Sequence, residues 1–401
     1  MKQKLSQISK INANSITKED KKRFLSYLDT ANLVDNKIIN FQRNYWENLP
    51  KSATRKVTEK TILYSKVRPV QMHNGIFTDL DFDNIVVSNA FFTVDVDESI
   101  ADPHFIYYYL TDRKQISKMQ ILAESSTTYP TLSLENIENF EIELPNINVQ
   151  VHIGKLLSSI DKKINLNNKI NDNLEKQMKL IYKYWFDDFN FIDKSKKPYK
   201  ANGGAMIWNE ELKKEIPKGW TIKTLSELLV KNKDKFDFSS ILPTIDLSVM
   251  VPNKMTISQH NWSSEFSSNL FKMEQGDILF GSIRPYLHKA GFAPFDGVVA
   301  GTVHSFKPIN NNYYNFSLIT ICRDVFFDYA VQMSYGTRMP VVNDVALLNY
   351  KIPYNEDVIK DFNKINILKI MSKLINENIK LINLKNQLLP LLMNGQVTIE
   401  D

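Results

Sequence analysis

Two stretches of the chain share one pattern of apolar and polar positions. Leu157, Ile160, Ile164, Asn167, Asn171, Leu174, Met178 and Ile181 step by 3, 4, 3, 4, 3, 4, 3. Ile367, Ile370, Leu374, Glu377, Leu381, Leu384, Leu388 and Leu391 step identically, each 210 positions later. That spacing is the a/d stripe of a heptad helix, and no Gly or Pro interrupts either stripe before Pro390. A helix of about 40 residues is ~60 Å long. A single apolar stripe of that length cannot stay in water, so the natural partner of each helix is the other. The pairing face is expected from Leu157, Ile160, Ile164, Leu174 and Ile181 on one helix and from Ile370, Leu374, Leu381, Leu384 and Leu388 on the other. Asn167, Asn171 and Glu377 lie on the stripe either as a wet turn of a coiled coil or as polar residues that set register.

The segments before each helix follow a different rhythm. Thr61–Val67, Ile85–Val94 and Ile278–Ile283 are short runs rich in β-branched and aromatic residues, bounded by Gly, Pro, Asn or Asp, and read as strands. Helical patches at Pro103–Leu122 and Phe316–Met333 interrupt them, which makes each segment an α+β module. The modules are copies. Ile62-Leu63-Tyr64-Ser65-Lys66-Val67-Arg68-Pro69 reads like Ile278-Leu279-Phe280-Gly281-Ser282-Ile283-Arg284-Pro285 at an offset of 216. Further matches follow in order at 212 (Val86 and Val298), 210 (Pro130 and Pro340) and 208 (Pro145 and Pro353), with 220 upstream (Leu5 and Leu225). A steadily drifting offset is the mark of a duplication whose loops changed length. The organisation expected is a first module at 1–145, a helix at 146–192, a Lys-rich linker at 193–215, a second module at 216–353, and a distal helix and tail at 354–401. The linker serves as a solvated loop or touches phosphate.

Composition narrows the function. The chain has 401 residues and a net charge of +5 with a pI near 8.8, which permits nucleic acid as a partner without demanding it. One cysteine, Cys322, excludes a disulfide framework and a multi-cysteine zinc site. The N-terminal residues lack an apolar signal core, and no apolar run reaches the ~20 residues of a membrane span. A cytoplasmic location and no membrane partner are expected. Catalytic motifs are missing. There is no G-x-x-x-x-G-K-[ST] loop, no G-x-G-x-x-G, no G-x-S-x-G and no (Asn/Asp)-Pro-Pro-aromatic tetrapeptide, and the six histidines lack metal-ligand spacing. Two E-x-K triplets, at Glu19 and Glu211, lack the preceding Pro-Asp element of a nuclease. The chain reads as a binding scaffold rather than a methyltransferase or nuclease.

Two α+β modules alternating with two heptad helices resemble the specificity subunit of type I restriction–modification enzymes, over essentially the whole chain. The stretch from Ile160-Asp161-Lys162-Lys163-Ile164-Asn165-Leu166-Asn167 through Leu174-Glu175-Lys176-Gln177 to Ile181-Tyr182-Lys183-Tyr184-Trp185-Phe186 is similar to that family's central helix. Gly276-Asp277-Ile278-Leu279 with Ser282-Ile283-Arg284-Pro285 resembles its recurring strand motif. Ile216-Pro217-Lys218-Gly219-Trp220 resembles the entry to a target-recognition domain, and Leu388–Gly395 the distal helix end. The first repeat departs from this pattern: it lacks the Pro-Lys-Gly-Trp entry, and Lys60-Thr61 stands where the second has Gly276-Asp277. The resemblance implies two target-recognition domains separated by helices that form an antiparallel coiled coil, a pseudo-twofold repeat. It implies that each module reads one half of a split double-stranded DNA site. It further implies that two modification subunits carrying S-adenosylmethionine dock on the scaffold, and that restriction subunits using ATP and Mg join them, so that this chain holds no cofactor and no catalytic residue. The alternative is a coiled-coil interaction scaffold without sequence-specific DNA binding.

Readers of DNA need donors that reach base edges and cations that reach phosphates. In the first module Lys66, Arg68, Gln71, His73 and Asn74 cluster in one segment; in the second, Arg284, Tyr286, His288 and Lys289 do. Arg pairs bidentately with guanine and Gln or Asn with adenine. Arg68 and Arg284 recur at one offset, so they either contact DNA or make the same internal bond in both modules. Positions that differ, Gln71 against Leu287 and His73 against Lys289, suit different half-sites. A second candidate is the pair of hydroxyl-rich loops holding Ser126, Thr127 and Thr128 in one module and Tyr335, Thr337 and Arg338 in the other, as phosphate contacts or plain connections.

Overall fold

The computed structural model describes residues 2–20, 23–124, 130–267 and 269–397. The chain divides into two compact units, residues 1–163 with 383–401, and residues 164–382. This division cuts through both long helices, so each unit owns half of each, rather than falling at the linker.

The two units have the same strand topology. In the first, Ser9–Ile11, Phe91–Val96, Ile62–Ser65 and Asn74–Ile76 lie side by side in that order as an antiparallel sheet. In the second, Leu229–Lys231, Val303–Pro308, Ile278–Gly281 and Ala290–Phe292 do the same. Each unit has a second four-stranded sheet with one parallel pairing. These are Ile85–Ser88 beside Phe24–Leu28 in the first unit, and Gly297–Ala300 beside Pro243–Ile245 in the second. Each also has a two-stranded ribbon, Lys2–Lys4 with Glu141–Glu143 and Thr221–Thr224 with Lys351–Tyr354. The inner strands Ile62–Ser65 and Ile278–Gly281 are buried on both faces, which is why they read as unbroken apolar runs.

The substituted turn before those strands keeps its geometry. Lys60 and Gly276 both take left-handed backbone, with φ of 64° and 94°. The Thr58 N–H donates to Thr61 Oγ1 at 3.0 Å, as the Glu274 N–H donates to Asp277 Oδ2 at 3.1 Å. A hydroxyl in place of a carboxylate thus closes the same turn.

The central helix is Ile147–Tyr182 and the distal helix is Ile367–Met393. In the second unit Asn167 meets Asn378 at 2.9 Å, while Tyr182 packs on Phe362 with ring centroids 5.8 Å apart. Phe362 lies on the short helix Glu356–Asn363 that precedes the distal helix, so the chain runs back along the central helix in the opposite direction, an antiparallel arrangement. In the first unit Lys385 binds both oxygens of Asp161 at 2.7 and 2.9 Å, and Tyr108 donates to Asp161 at 2.6 Å.

On the central helix Leu157 and Ile160 are buried, and Ile164, Leu174 and Ile181 are half-buried. The distal helix departs from expectation. Ile370 and Leu384 are 47% and 44% exposed, and Leu374, Leu381 and Leu388 only half-buried. The buried stripe is its neighbour, Leu368, Met371, Ile375, Asn378 and Leu392. Two apolar stripes run side by side on this helix, and both have heptad spacing. Packing selects the one that lies a single residue further along.

Of the polar positions on the stripe, Asn167 and Glu377 are paired across the helices, while Asn171 is buried with its Oδ1 lacking a hydrogen-bond partner among the described residues. Asn167 Nδ2 donates to Glu377 Oε2 at 2.8 Å and to Asn378 Oδ1 at 2.9 Å, and Asn378 Nδ2 donates to Asn168 Oδ1 at 2.9 Å. Asn167 with Glu377 and Asn168 with Asn378 are each 210 positions apart, the same offset as the helix repeat. Equivalent residues touching one another mark the local twofold of the helix pair. The segment expected as a linker carries an antiparallel hairpin, Met206–Asn209 with Lys214–Pro217.

Candidate nucleic-acid interface

In both units the buried inner strand ends in the same turn. Pro69–Gln71 and Pro285–Leu287 are single 3-10 turns flanked on both sides by left-handed residues. These are Arg68 (φ 46°, ψ 68°) and Met72 (φ 55°, ψ 32°) in one, and Arg284 (φ 52°, ψ 61°) and His288 (φ 52°, ψ 50°) in the other. Such backbone costs an L-residue with a Cβ roughly 1–2 kcal/mol, so surrounding bonds must hold it. The Gln71 N–H donates to the Arg68 carbonyl at 2.9 Å, and Leu287 to Arg284 at 2.9 Å. Proline at the first turn position presets its own φ and gives up no needed donor.

The segment just after the second candidate loop closes onto the first candidate segment. Arg68 N–H donates to the Pro130 carbonyl at 3.2 Å and Arg284 N–H to that of Pro340 at 2.7 Å. Leu132 N–H reaches the Lys66 carbonyl at 2.8 Å, and Val342 N–H that of Ser282 at 3.0 Å. In each unit the residues that follow the hydroxyl-rich loop, about 60 positions after the arginine, thus form one joint with its turn. In the second unit Tyr335 and Val341 exchange two backbone bonds at 3.0 and 2.9 Å around Gly336 (φ 94°), which makes a short hairpin. Arg284, Tyr286, Tyr335, Thr337 and Arg338 are all exposed around this joint. Ser126, Thr127 and Thr128 lie outside the described residues.

Other candidates are committed to internal bonds. Asn74 is buried in its strand opposite Tyr64, so it does not present its amide at the surface. His73 Nδ1 lies 2.7 Å from the Leu33 carbonyl. His288 stacks on Phe327, centroids 4.4 Å apart, with Nδ1 3.2 Å from Asp324. Lys289 Nζ donates to the Leu247 carbonyl at 2.6 Å. Lys66 is half-buried with Nζ 5.0 Å from the Phe92 ring centroid, and burial, with Arg55 adding to it, pushes its ammonium pKa down. Arg68 and Gln71 remain exposed.

Residues 1–176 match the family model described as type I restriction modification DNA specificity domain. The similarity is to type I restriction–modification specificity subunits. The HindI specificity subunit of Haemophilus influenzae is 27% identical over 213 residues, 52% of this chain and 46% of that protein. This chain thus spans about half the length of that relative. The MjaIX specificity subunit of Methanocaldococcus jannaschii is 24% identical over 394 residues, 93% of this chain and 86% of that protein. The crystal structure of a type I restriction-modification system S subunit from M. genitalium superposes with a TM-score of 0.55 at 14% identity, covering 100% of this chain and 96% of that one. That likeness shows the fold.

Val70 is a further exposed side chain of the first turn, beside Arg68 and Gln71. It stands at the tip of the first turn, 54% exposed, where its repeat equivalent Tyr286 is 50% exposed. The repeat links the two: 286 − 70 is the same offset of 216 that relates the two arginines. Among the described residues no group of three His, Cys, Asp or Glu is placed to hold a metal, and no helix is long and apolar enough to cross a membrane.

Proposed function

We propose that this chain is the DNA sequence-specificity subunit of a type I restriction–modification complex. It recognises a bipartite double-stranded site, one half per unit, and scaffolds the modification and restriction subunits without catalysing either reaction. One observation carries the reading. Two units that share the order of both four-stranded sheets each present an exposed arginine at a left-handed turn, braced by a neighbouring segment, and the helices pair about a local twofold. A coiled-coil scaffold with no DNA role has no use for two such turns. Arg68 with Gln71, and Arg284 with Tyr286 and the Tyr335–Arg338 hairpin, are the reading groups. Methylation and cleavage belong to partner subunits, which supply S-adenosylmethionine chemistry and ATP-driven cleavage with Mg.

The test is methylome sequencing of cells that carry the chain with and without its modification partner. The expected result is methylated adenine at one interrupted motif only when both are present. Methyl transfer by the purified chain alone, or partner-dependent methylation without sequence preference, would overturn the reading.

A further inference from the structure

The second unit contains a cavity of about 710 Å³ that the DNA-reading role does not use. It lies where the end of the central helix, the Met206–Pro217 hairpin and the helix Asp324–Gln332 converge. Its volume is in the range of small-molecule sites.

The charges in it do not balance. Arg323 Nη2 meets both oxygens of Asp187 at 2.7 Å, and its guanidinium lies 4.8 Å from the Tyr182 ring centroid. At the rim, Lys351 and Glu211 neutralise each other at 2.8 Å. Lys214 also lines the cavity, but among the described residues it has no carboxylate within ion-pair distance; its Nζ lies 5.4 Å from the Phe189 ring centroid. Two cations, Arg323 and Lys214, therefore face one anion, Asp187, leaving one positive charge in a partly desolvated place. Burial pushes the Lys214 ammonium pKa down, Asp187 pulls it partly back, and Arg323 lowers it further. An unpaired ammonium held there is costly unless an anion joins it. The remaining wall mixes aliphatic and amide side chains with an aromatic patch. Tyr329 and Tyr350 pack edge to face with centroids 5.0 Å apart, and both line the cavity.

We propose that this cavity binds a small organic monoanion, a carboxylate carried on a flat ring, with Lys214 as its counter-charge and the Tyr329–Tyr350 pair against the ring. A single negative charge matches the single positive excess. A phosphate dianion would exceed it and would face Asp187.

The experiment is calorimetric titration of the full chain with benzoate, benzyl alcohol and inorganic phosphate as probes. Benzoate is expected to bind saturably, with the other two at least tenfold weaker. Lys214→Gln is expected to weaken benzoate at least tenfold, and Lys214→Arg to retain most of the binding. Equal melting of unliganded wild type and Lys214→Gln checks that the variant folds. Benzoate binding no better than benzyl alcohol, phosphate binding as tight as benzoate, or undiminished benzoate binding by folded Lys214→Gln would each overturn the proposal.

Discussion

The Arg68 and Arg284 turns share a backbone and differ in what ties their side chains down. In the first unit the residue after the turn, His73, is held by the Leu33 carbonyl. In the second, His288 is clamped by Phe327 and Asp324, and Lys289 by the Leu247 carbonyl. What the duplication retained is a strained main chain that projects one arginine; what it varied are the bonds that surround it. That division suits a pair of readers for unlike half-sites, because the presenting geometry is costly to build while the reading groups must differ. The exposed side chains at the tips, Val70 against Tyr286 and Gln71 against Leu287, differ in the same way.

The comparison extends to the two helix stripes, and there the largest effect is expected. Met371 is fully buried on the stripe that packing chose. Met371→Glu buries an unpaired charge and should cost more than about 3 kcal/mol, read as a lower denaturation midpoint of the second unit. A mild effect would place the core on the neighbouring stripe instead.

Arg284→Ala should weaken binding through the second half-site alone, and Arg68→Ala through the first. If the arginine reads a base, the loss is ~1–3 kcal/mol with relaxed preference at that position; if it meets phosphate, the loss is even across sequences and the salt slope falls by about one. Competition binding with half-site variants distinguishes these. A loss spread over both half-sites for either change would break the one-unit, one-half-site comparison.

Acid should sharpen a difference in the first unit. Burial by itself would raise the Asp20 carboxyl, but the Lys56 ammonium and the hydroxyl and N–H of Thr17 outweigh it and hold the pKa at about 2. The folded value lies below the ordinary 3.8, so the stabilisation is fully present above pH 4 and is lost as pH falls through 2. With Lys56 partly exposed and screened by solvent, it amounts to at most about 2 kcal/mol. Urea titrations at pH 5 and pH 2 should show this loss in the wild type, and Asp20→Asn should be weaker at pH 5 with a smaller acid-dependent change. The same pH dependence in both proteins would remove Asp20 from the account.

The smallest effect belongs to Leu384→Glu. Its side chain is 44% exposed, and a surface substitution of this kind stays within about 0.5 kcal/mol. A loss matching that of Met371→Glu would mean that both stripes are packed.

Much of this architecture is legible in the amino-acid sequence. Heptad spacing located both helices, because a 3.6-residue turn forces apolar residues to recur at 3 and 4 if one face is to be covered. The drifting offset declared the duplication, because equivalent strands need equivalent apolar runs, and it linked Arg68 to Arg284 through a turn that both copies share. Tertiary structure alone chose between two adjacent heptad stripes on the distal helix, since periodicity is identical for both and only the partner surface tells them apart. It also buried Asn74, because a donor-rich segment says nothing about which of its residues a neighbouring strand will cover. And it gathered Asp187, Lys214 and Arg323 around one cavity, a juxtaposition that sequence separation hides and chain packing creates.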